Sequence, residues 1–570
     1  MTDHLKRAFK LNEQGRWARA EVACRDAVAA DSGNAIAWQL LGTLCLRNAR
    51  ITQSVYAFSK AHALTPNDPN LAVNFASALR IAARYDEAIT LLEFALSQKP
   101  NTPEAHLTLA QCLTGLNQHA NADESYQSAL TLRPAWPQAL EERAFCLRRL
   151  GRNDDALDLA KQALRLDGNR ASCLRLVADY LQESGQLADA VEHYERSIQF
   201  DSNDGHTHNN LGLTLMKLGE CERAAQSHRR AVELIGNDPV IQYDLSLALL
   251  ALGRLADGWP LYSARHALPG NLLGQRKHRV ARLSGHAVKD LSLFAWTDQG
   301  VGEEIMFAQL VPDLISRGAK LTLECEPRLV SLFARSFPEV KVVSRELGPN
   351  LDNELGCAAQ LALADTAAWL RPSLASFPNH MGYLVVDRAL LASLKARYRK
   401  TTTKLTVGLA WRTAAAAKLA EHKSVALDQW GPILSQPNGS FVSLQYGDVA
   451  QEIDQANEKF RVSIFHDREV DPMADLDSFA AQVAAMDLVI TTSNATAHMA
   501  GALGIPCWVV LPSGAGRLWH WFVERNDSPW YPSVKLYRHS WGNDWTAVLS
   551  QIGTALAGIV KPAQTDEHNK

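Results

Sequence analysis

AHLTLAQCLTGLNQHANADESYQSALTLRP, residues Ala105 to Pro134, is the stretch from which the first half of the chain can be read. Leu107, Leu109, Ala110, Leu113 and Leu116, and then Ala122, Tyr126, Ala129 and Leu130, fall at helical spacing on one stripe of two successive short helices. Asn117 stands in the turn between them, and Pro134 breaks the second. Counting outward in steps of 34, Ser32, Pro66, Pro100, Pro134, Gly168, Ser202 and Gly236 share one register. Gly15, Ala49, Ala83, Asn117, Gly151, Gly185, Gly219 and Gly253 share the turn register. Ala20, Ser54, Ala88, Ala122, Ala156, Ala190, Ala224 and Gly258 place a small residue early in each second helix. One helical pair cannot bury its apolar face alone, whereas stacked pairs build a continuous core and leave a groove.

A 34-residue period with a small turn residue, a small residue early in the second helix and a terminal breaker is the tetratricopeptide signature. The reading is an all-α TPR superhelix over residues 1–265, with about seven pairs and an eighth, degenerate pair from Pro239 to about Arg265. Its groove would be a binding surface for an acceptor protein, and terminal repeats offer a route to a homodimer.

The chain has 570 residues, more than one core normally holds, and its 47% hydrophobic and 21% charged content is that of an ordinary soluble protein. A formal net charge of -3 sets up no global field for nucleic acid or an anionic membrane. The nine cysteines show no C-x-x-C spacing, and Cys112 and Cys146 share one repeat register, as small core residues in a reducing compartment would. Met1-Thr-Asp-His-Leu-Lys-Arg leads straight into an amphipathic helix, and no run of about 18 apolar residues exists to span a bilayer. These features predict a cytoplasmic protein with no membrane span and no nucleic-acid partner.

After Trp259-Pro260-Leu261-Tyr262 the period stops, and a polar linker over 266–286 leads into short apolar runs alternating with helices. Leu291 to Trp296, Lys320 to Glu324 and Val340 to Val343 open one series. Leu405 to Trp411, Phe441 to Leu444, Val462 to Phe465, Leu488 to Thr491 and Cys507 to Leu511 form a second. This alternation predicts two doubly wound parallel sheets, over 287–395 and 403–556, followed by a flexible tail at 557–570. Ligands of such sheets sit outside the carboxyl ends of the strands, so the working residues should follow strands.

Four such junctions stand out. In Trp296-Thr-Asp-Gln-Gly300-Val-Gly302-Glu303-Glu304, glycines let a turn approach a ligand, and two carboxylates open a helix either as dipole partners or as chemistry. Arg412 ends a strand, followed by His422-Lys423-Ser424, and an arginine and a lysine converging on a cleft suit a diphosphate. Lys418, between them, reads as an ordinary surface charge. Thr492-Ser493-Asn494-Ala495-Thr496-Ala-His498 carries a strand into a small-residue helix whose N–H groups and hydroxyls can surround an anion, with His498 in its first turn and facing the cleft if Ser493 is the cap. Trp519, Trp521, Trp530 and Tyr531 serve either to stack on a base or sugar or to pack the C-terminal lobe. Asp475-Leu-Asp477 precedes a helix and reads as a cap rather than a metal pair.

Together these segments resemble bacterial proteins in which tetratricopeptide repeats precede a GT-B glycosyltransferase module of two Rossmann-like lobes, related to the lipopolysaccharide heptosyltransferases of glycosyltransferase family nine. The family pattern Q-G-h-G-D-E-I-M-F is matched by Gln299 to Phe307, G-h-S-W-R by Gly408 to Arg412, and a K-S element by Lys423-Ser424. F-V-S-L-Q-Y-G-D is matched by Phe441 to Asp448, and the segment around A-H-h-A-G-A-L-G-x-P by Ala497 to Pro506. Glu303 stands where the family has aspartate, and Ser493-Asn494 where Asp-Thr is commoner. The architecture is also similar to that of O-GlcNAc transferases, but the groove register Leu40, Asn74, Thr108, Glu142, Leu176, Asn210, Asp244 carries no asparagine ladder. That favours recognition of one folded or helical partner, as in repeat-linked flagellin glycosyltransferases.

The resemblance implies a metal-independent, inverting transfer from a nucleotide sugar to a Ser/Thr hydroxyl of a bound protein, with flagellin among the acceptors and no cofactor. Gly300, Gly302, Arg412, Lys423, Ser424, Ser493, Asn494, Ala495, Thr496 and His498 would hold the donor. Glu303, Glu304 and His498 would form the catalytic group. Two other classes stay open: a non-catalytic scaffold with a degenerate module, and a transferase acting on a lipid-linked or polysaccharide acceptor.

Overall fold

A computed structural model describes residues 3–271, 273–345, 354, 356–399, 404–413, 422–539 and 545–559. Lys418 and the end of the expected tail, 560–570, lie outside the described residues. The chain divides into two compact units, Met1–Asn203 and Asp204–Lys570. Among the described residues no helix is long and apolar enough to cross a membrane.

The first unit is six helical hairpins, from Asp3–Glu13 paired with Trp17–Ala30 to Ala171–Glu183 paired with Leu187–Phe200. The turn register has a backbone cause. Gly15, Ala49, Ala83, Asn117, Gly151 and Gly185 all have positive φ, from 58° to 82°, because the chain must reverse there between two right-handed helices. The small register is set by packing, since Ala20, Ser54, Ala88, Ala122, Ala156 and Ala190 are all fully buried or within 1% of it. In the quoted repeat Leu107, Leu113, Tyr126 and Leu130 are buried as the stripe predicts, and Leu109 is half-buried.

The second unit begins with two more hairpins, Gly205–Leu218 with Cys221–Ile235 and Pro239–Ala251 with Leu255–Tyr262. The last of these belongs to the α/β core. Trp259 meets Trp519 edge-on at 5.3 Å and donates its indole N–H to the Arg371 carbonyl at 2.9 Å. Tyr262 packs on Phe307 and Trp519.

Beyond it lie two sheets. Strands β1 (Ser292–Trp296), β2 (Lys320–Cys325), β3 (Lys341–Ser344) and β4 (Ala359–Ala362) form an all-parallel sheet in the order β3-β2-β1-β4. Strands β5 (Leu405–Ala410), β6 (Gly439–Ser443), β7 (Ile464–His466), β8 (Leu488–Thr492), β9 (Cys507–Leu511), β10 (Asp527–Ser528) and β11 (Tyr531–Arg538) form the second. Its order is β10-β11-β9-β8-β5-β6-β7, with only β10 antiparallel. Counted along the chain, the six parallel strands run 3-2-1-4-5-6, the doubly wound order that opens a crevice between the first and fourth strands. Every residue of β5 and β8 is buried, as expected of parallel strands covered on both faces. All nine cysteines are free thiols, eight of them buried.

Candidate functional site

The carboxyl edge of the first sheet is crowded with charge, and the chain neutralises it from its own stretch 265–282. Arg265, only 1% exposed, donates to Asp298 just past β1 at 2.9 Å and to Asp365 just past β4 at 2.6 Å. Arg282 also pairs with Asp365, and the His266 ring lies 3.0 Å from it. Burial alone would raise the Asp365 carboxyl, but Arg265, His266 and Arg282 hold it well below the usual range. Arg276 reaches Glu324 of β2 at 2.9 Å, and the His278 ring and the backbone N–H of Arg279 both meet Glu354. Leu283 N–H donates to the Gln360 carbonyl and Gln360 N–H to that of Ala281, laying this stretch beside β4. The stretch read as a polar linker is thus a strap, with Arg276 and Arg282 matched by carboxylates at the edge of the first sheet.

At the turn after β1 the two adjacent glutamates part company. Glu304 is 1% exposed, pairs with Arg345 and accepts the Glu326 N–H at 2.8 Å, so it ties β1 to the ends of β2 and β3. Its placement is structural. Glu303 is half-buried on the other side of the helix Val301–Phe307. Desolvation raises its carboxyl above the usual range, opposed by its own N–H and by Lys423. Gly302 brings this turn against the second sheet: a Cβ there would lie 2.8 Å from the His498 ring. Gly300 precedes the helix as its cap residue.

In the second sheet the crevice lies between β5 and β8, and the residues after both strands are tied to each other. Asn494, not Ser493, caps the helix Ala495–Ala502, accepting from the Thr496 and Ala497 N–H groups at 3.1 and 3.4 Å. Its amide donates to the Arg412 carbonyl at 3.2 Å. An amide both caps and bridges, which a hydroxyl is too short to do, and Ser493 instead accepts from Trp521 Nε1 at 2.8 Å. His498, 3% exposed, pairs through Nδ1 with the Tyr531 hydroxyl at 2.9 Å. Burial, reinforced by Lys423, drives its imidazole down to about 3, so it is neutral.

The cations differ. Arg412 is held by Glu452 at 2.8 Å and by the Asp448 carbonyl at 3.1 Å, while Gln445 Oε1 receives the N–H groups of both Trp411 and Arg412 at 2.8 Å. Ser424 Oγ accepts the Thr413 N–H at 3.2 Å, which lays the Lys423-Ser424 segment along the end of β5. Lys423 is 6% exposed and makes no hydrogen bond or ion pair among the described residues. Burial lowers its ammonium, and Glu303 resists that shift. Gly516 lets the loop after β9 press on it, since a Cβ there would lie 2.8 Å from Lys423 Cγ.

The predicted donor set therefore converges at one end of the β5–β8 crevice, with Glu303 facing it from the first sheet. Glu304 is turned away to Arg345, and the side chains of Arg412 and Ser493 are engaged by Glu452 and Trp521. Trp521, Trp530 and Tyr531 are fully buried, and Trp519 is 8% exposed, so these aromatics pack the lobe. Asp475 caps its helix, and Asp477 takes a bidentate pair from Arg335. Gln445 and Glu452 escaped the sequence reading; Gln445 lies inside the quoted Phe441 to Asp448 motif, while Glu452 has no sequence signal.

The N-terminal repeats are tetratricopeptide repeats. The model for the TPR domain of cytochrome c-type biogenesis protein H matches residues 10–136, and a tetratricopeptide-repeat model matches 137–203. Protein FlbA of Caulobacter vibrioides is 33% identical over 316 residues, 53% of this chain and 52% of that protein. The chain thus spans about half the length of the curated relative it matches. Among solved structures, the APC/C hetero-tetramer Cut9-Hcn1 is similar at 19% identity and TM-score 0.38, covering 42% of this chain and 48% of that one. A tetratricopeptide repeat protein from Parabacteroides merdae is similar at 17% identity and TM-score 0.35, covering 43% and 98%.

Proposed function

We propose that the second unit is a GT-B glycosyltransferase module and that the TPR repeats hold its protein acceptor, with flagellin among the candidates. The observation that carries the reading is Lys423. A desolvated ammonium with no carboxylate in contact is costly, and its natural complement is an anion arriving in the β5–β8 crevice. Beyond it lie the N-terminus of the helix Ala495–Ala502, whose dipole favours an anion although Asn494 already holds the Thr496 and Ala497 N–H groups, and, once released from Glu452, the guanidinium of Arg412. Both suit the phosphates of a nucleotide sugar.

In this mechanism Glu303 takes the proton of the acceptor hydroxyl as the oxygen bonds to the anomeric carbon. The bond from that carbon to the phosphate oxygen breaks on the opposite face, inverting the centre, and the nucleotide leaves with the electron pair. Lys423, helped by the dipole of the helix N-terminus, stabilises the charge that develops on the leaving phosphate. Gly302, lacking a side chain, lets Glu303 and the His498 ring share this space.

The test is a panel of UDP-, GDP-, ADP-, CMP- and dTDP-sugars, with thermal shift and nucleotide release followed with and without cell lysate. Stabilisation by one donor and lysate-dependent release support the reading. Silence across the panel supports instead a non-catalytic scaffold. Specific observations favour that second reading: Arg412 is already paired with Glu452, and the side chains of Ser493 and Asn494 are both used in hydrogen bonds within the protein.

A further inference from the structure

His520 is 1% exposed, and neither of its ring nitrogens meets a donor or acceptor among the described residues. It sits between Trp519 and Trp521, with its ring centroid 4.8 Å from that of His498. Burial, then His498 and Lys423, hold its imidazole well below its ordinary value. Two neutral imidazoles therefore lie near the Lys423 ammonium, which in turn interacts with Glu303.

The chemistry of these groups divides the ligand between them. Phosphate oxygens only accept hydrogen bonds, and a cation with three N–H donors serves them; a neutral imidazole offers one donor and one acceptor, the pattern that matches a hydroxyl. Leaving both ring nitrogens of a buried histidine unsatisfied costs stability, a deficit that a hydroxyl-bearing ligand can recover. Trp521, itself held by its bond to Ser493 at 2.8 Å and stacked on His498 at 5.2 Å, meets the His520 ring edge-on at 5.0 Å.

We propose that His520 is a specificity-determining residue that hydrogen-bonds hydroxyls of the transferred sugar, working beside His498 while Lys423 takes the phosphate. This rests on the glycosyltransferase reading above.

Calorimetry on the full chain compares UDP, GDP, ADP, CMP and dTDP with UDP-N-acetylglucosamine, GDP-mannose, ADP-glucose, CMP-N-acetylneuraminic acid and dTDP-rhamnose. For the base that binds, His520→Phe should weaken the sugar nucleotide about tenfold, as loss of one or two hydrogen bonds implies, and change the bare nucleotide less than about twofold. His520→Gln, which keeps a donor and an acceptor, should recover part of the loss. Equal weakening of both ligands, or no change in either, overturns the role of His520 and leaves the glycosyltransferase reading standing. A wild-type chain that binds no probe overturns both. Should the Phe variant fail to fold, nitrogen NMR of the ¹⁵N-histidine-labelled wild type decides: the His520 resonance must move with the sugar nucleotide and not with the nucleotide alone, and identical spectra overturn the proposal.

Discussion

The carboxyl edges of the two sheets hold the same kinds of residue in opposite states. On the first, Arg265, Arg276 and Arg282 are each matched by a carboxylate, and Glu304 by Arg345. On the second, Lys423 is 6% exposed, against 8% for the Arg276 side chain, and has no carboxylate in contact among the described residues. Removing one partner of a buried pair strands the other charge, whereas a buried charge with no partner weakens the fold and is the kind of group an arriving anion can complement. The contrast locates the site better than the number of charges does, because the first edge is the more highly charged of the two.

The largest expected effect falls on the adjacent glutamates. Glu303→Gln should lower turnover by about 10² to 10⁴, the usual contribution of a general base, with donor binding and melting temperature nearly unchanged. Glu304→Gln should do the reverse: it leaves Arg345 without its counter-charge, costing about 1–3 kcal/mol of stability, and keeps donor binding. Turnover in the Glu303 variant equal to wild type would remove the base from the mechanism.

Replacing a cation by methionine tests the two edges directly. Arg265→Met strands Asp298, itself 1% exposed, and should cost about 3–5 kcal/mol, read as a large drop in the denaturant midpoint. Lys423→Met keeps the stem that packs on Gly516 and removes a buried charge that Glu303 only partly offsets, so the fold should hold or gain up to about 1 kcal/mol. Its nucleotide-sugar affinity should fall about 10- to 100-fold, the worth of a hydrogen bond to a charged group. Equal destabilisation by both substitutions would erase the distinction between the edges.

How much of this was legible in the sequence follows from how far apart the interacting residues lie. The repeats were legible because each of them solves the same local problem, a reversal needing positive φ at Gly15, Ala49 and their successors, so the solution recurs. The strand ends were legible because glycines, hydroxyls and cations gather after apolar runs. The strap was not: Arg265 finds Asp298 and Asp365 at separations of 33 and 100 residues, and 265–282 looks like any polar stretch. Nor could spacing tell Glu303 from Glu304, since successive residues of a helix point about 100° apart and only the position of Arg345 decides which one is spent. The cap moved by one residue for a similar reason, because only the position of the Arg412 carbonyl explains the choice of an amide.

Acid should separate the edges again. The Asp365 carboxyl is held below its unfolded value, so its contribution to stability is present above the ordinary carboxylate range and is lost only as pH falls through and below that range. Glu303 is shifted the other way: its folded form keeps a proton above that range, so the base is lost at higher pH, and protonation costs the fold nothing there. On lowering the pH from 8 to about 4, turnover should fall first and the melting temperature only afterwards. A turnover that stays flat until the protein melts would mean that Glu303 is not the titrating group.

The smallest effect concerns Arg412, whose state lies between the two edges. It is paired, like the strap arginines, but at 35% exposure with a partner at 34%, where an ion pair is worth only about 0–1 kcal/mol. Glu452→Gln keeps an acceptor for the Trp411 indole, now 2.6 Å from the carboxylate, and removes only the charge that competes for Arg412. If Arg412 swings to the donor phosphate on binding, breaking that pair is part of the cost of binding, and the variant should bind the nucleotide sugar a few-fold tighter with a melting temperature within about a degree of wild type. Unchanged affinity would assign Arg412 to the satisfied class and leave Lys423 as the cation that defines the site. Weaker affinity would mean that Glu452 positions the guanidinium rather than restrains it.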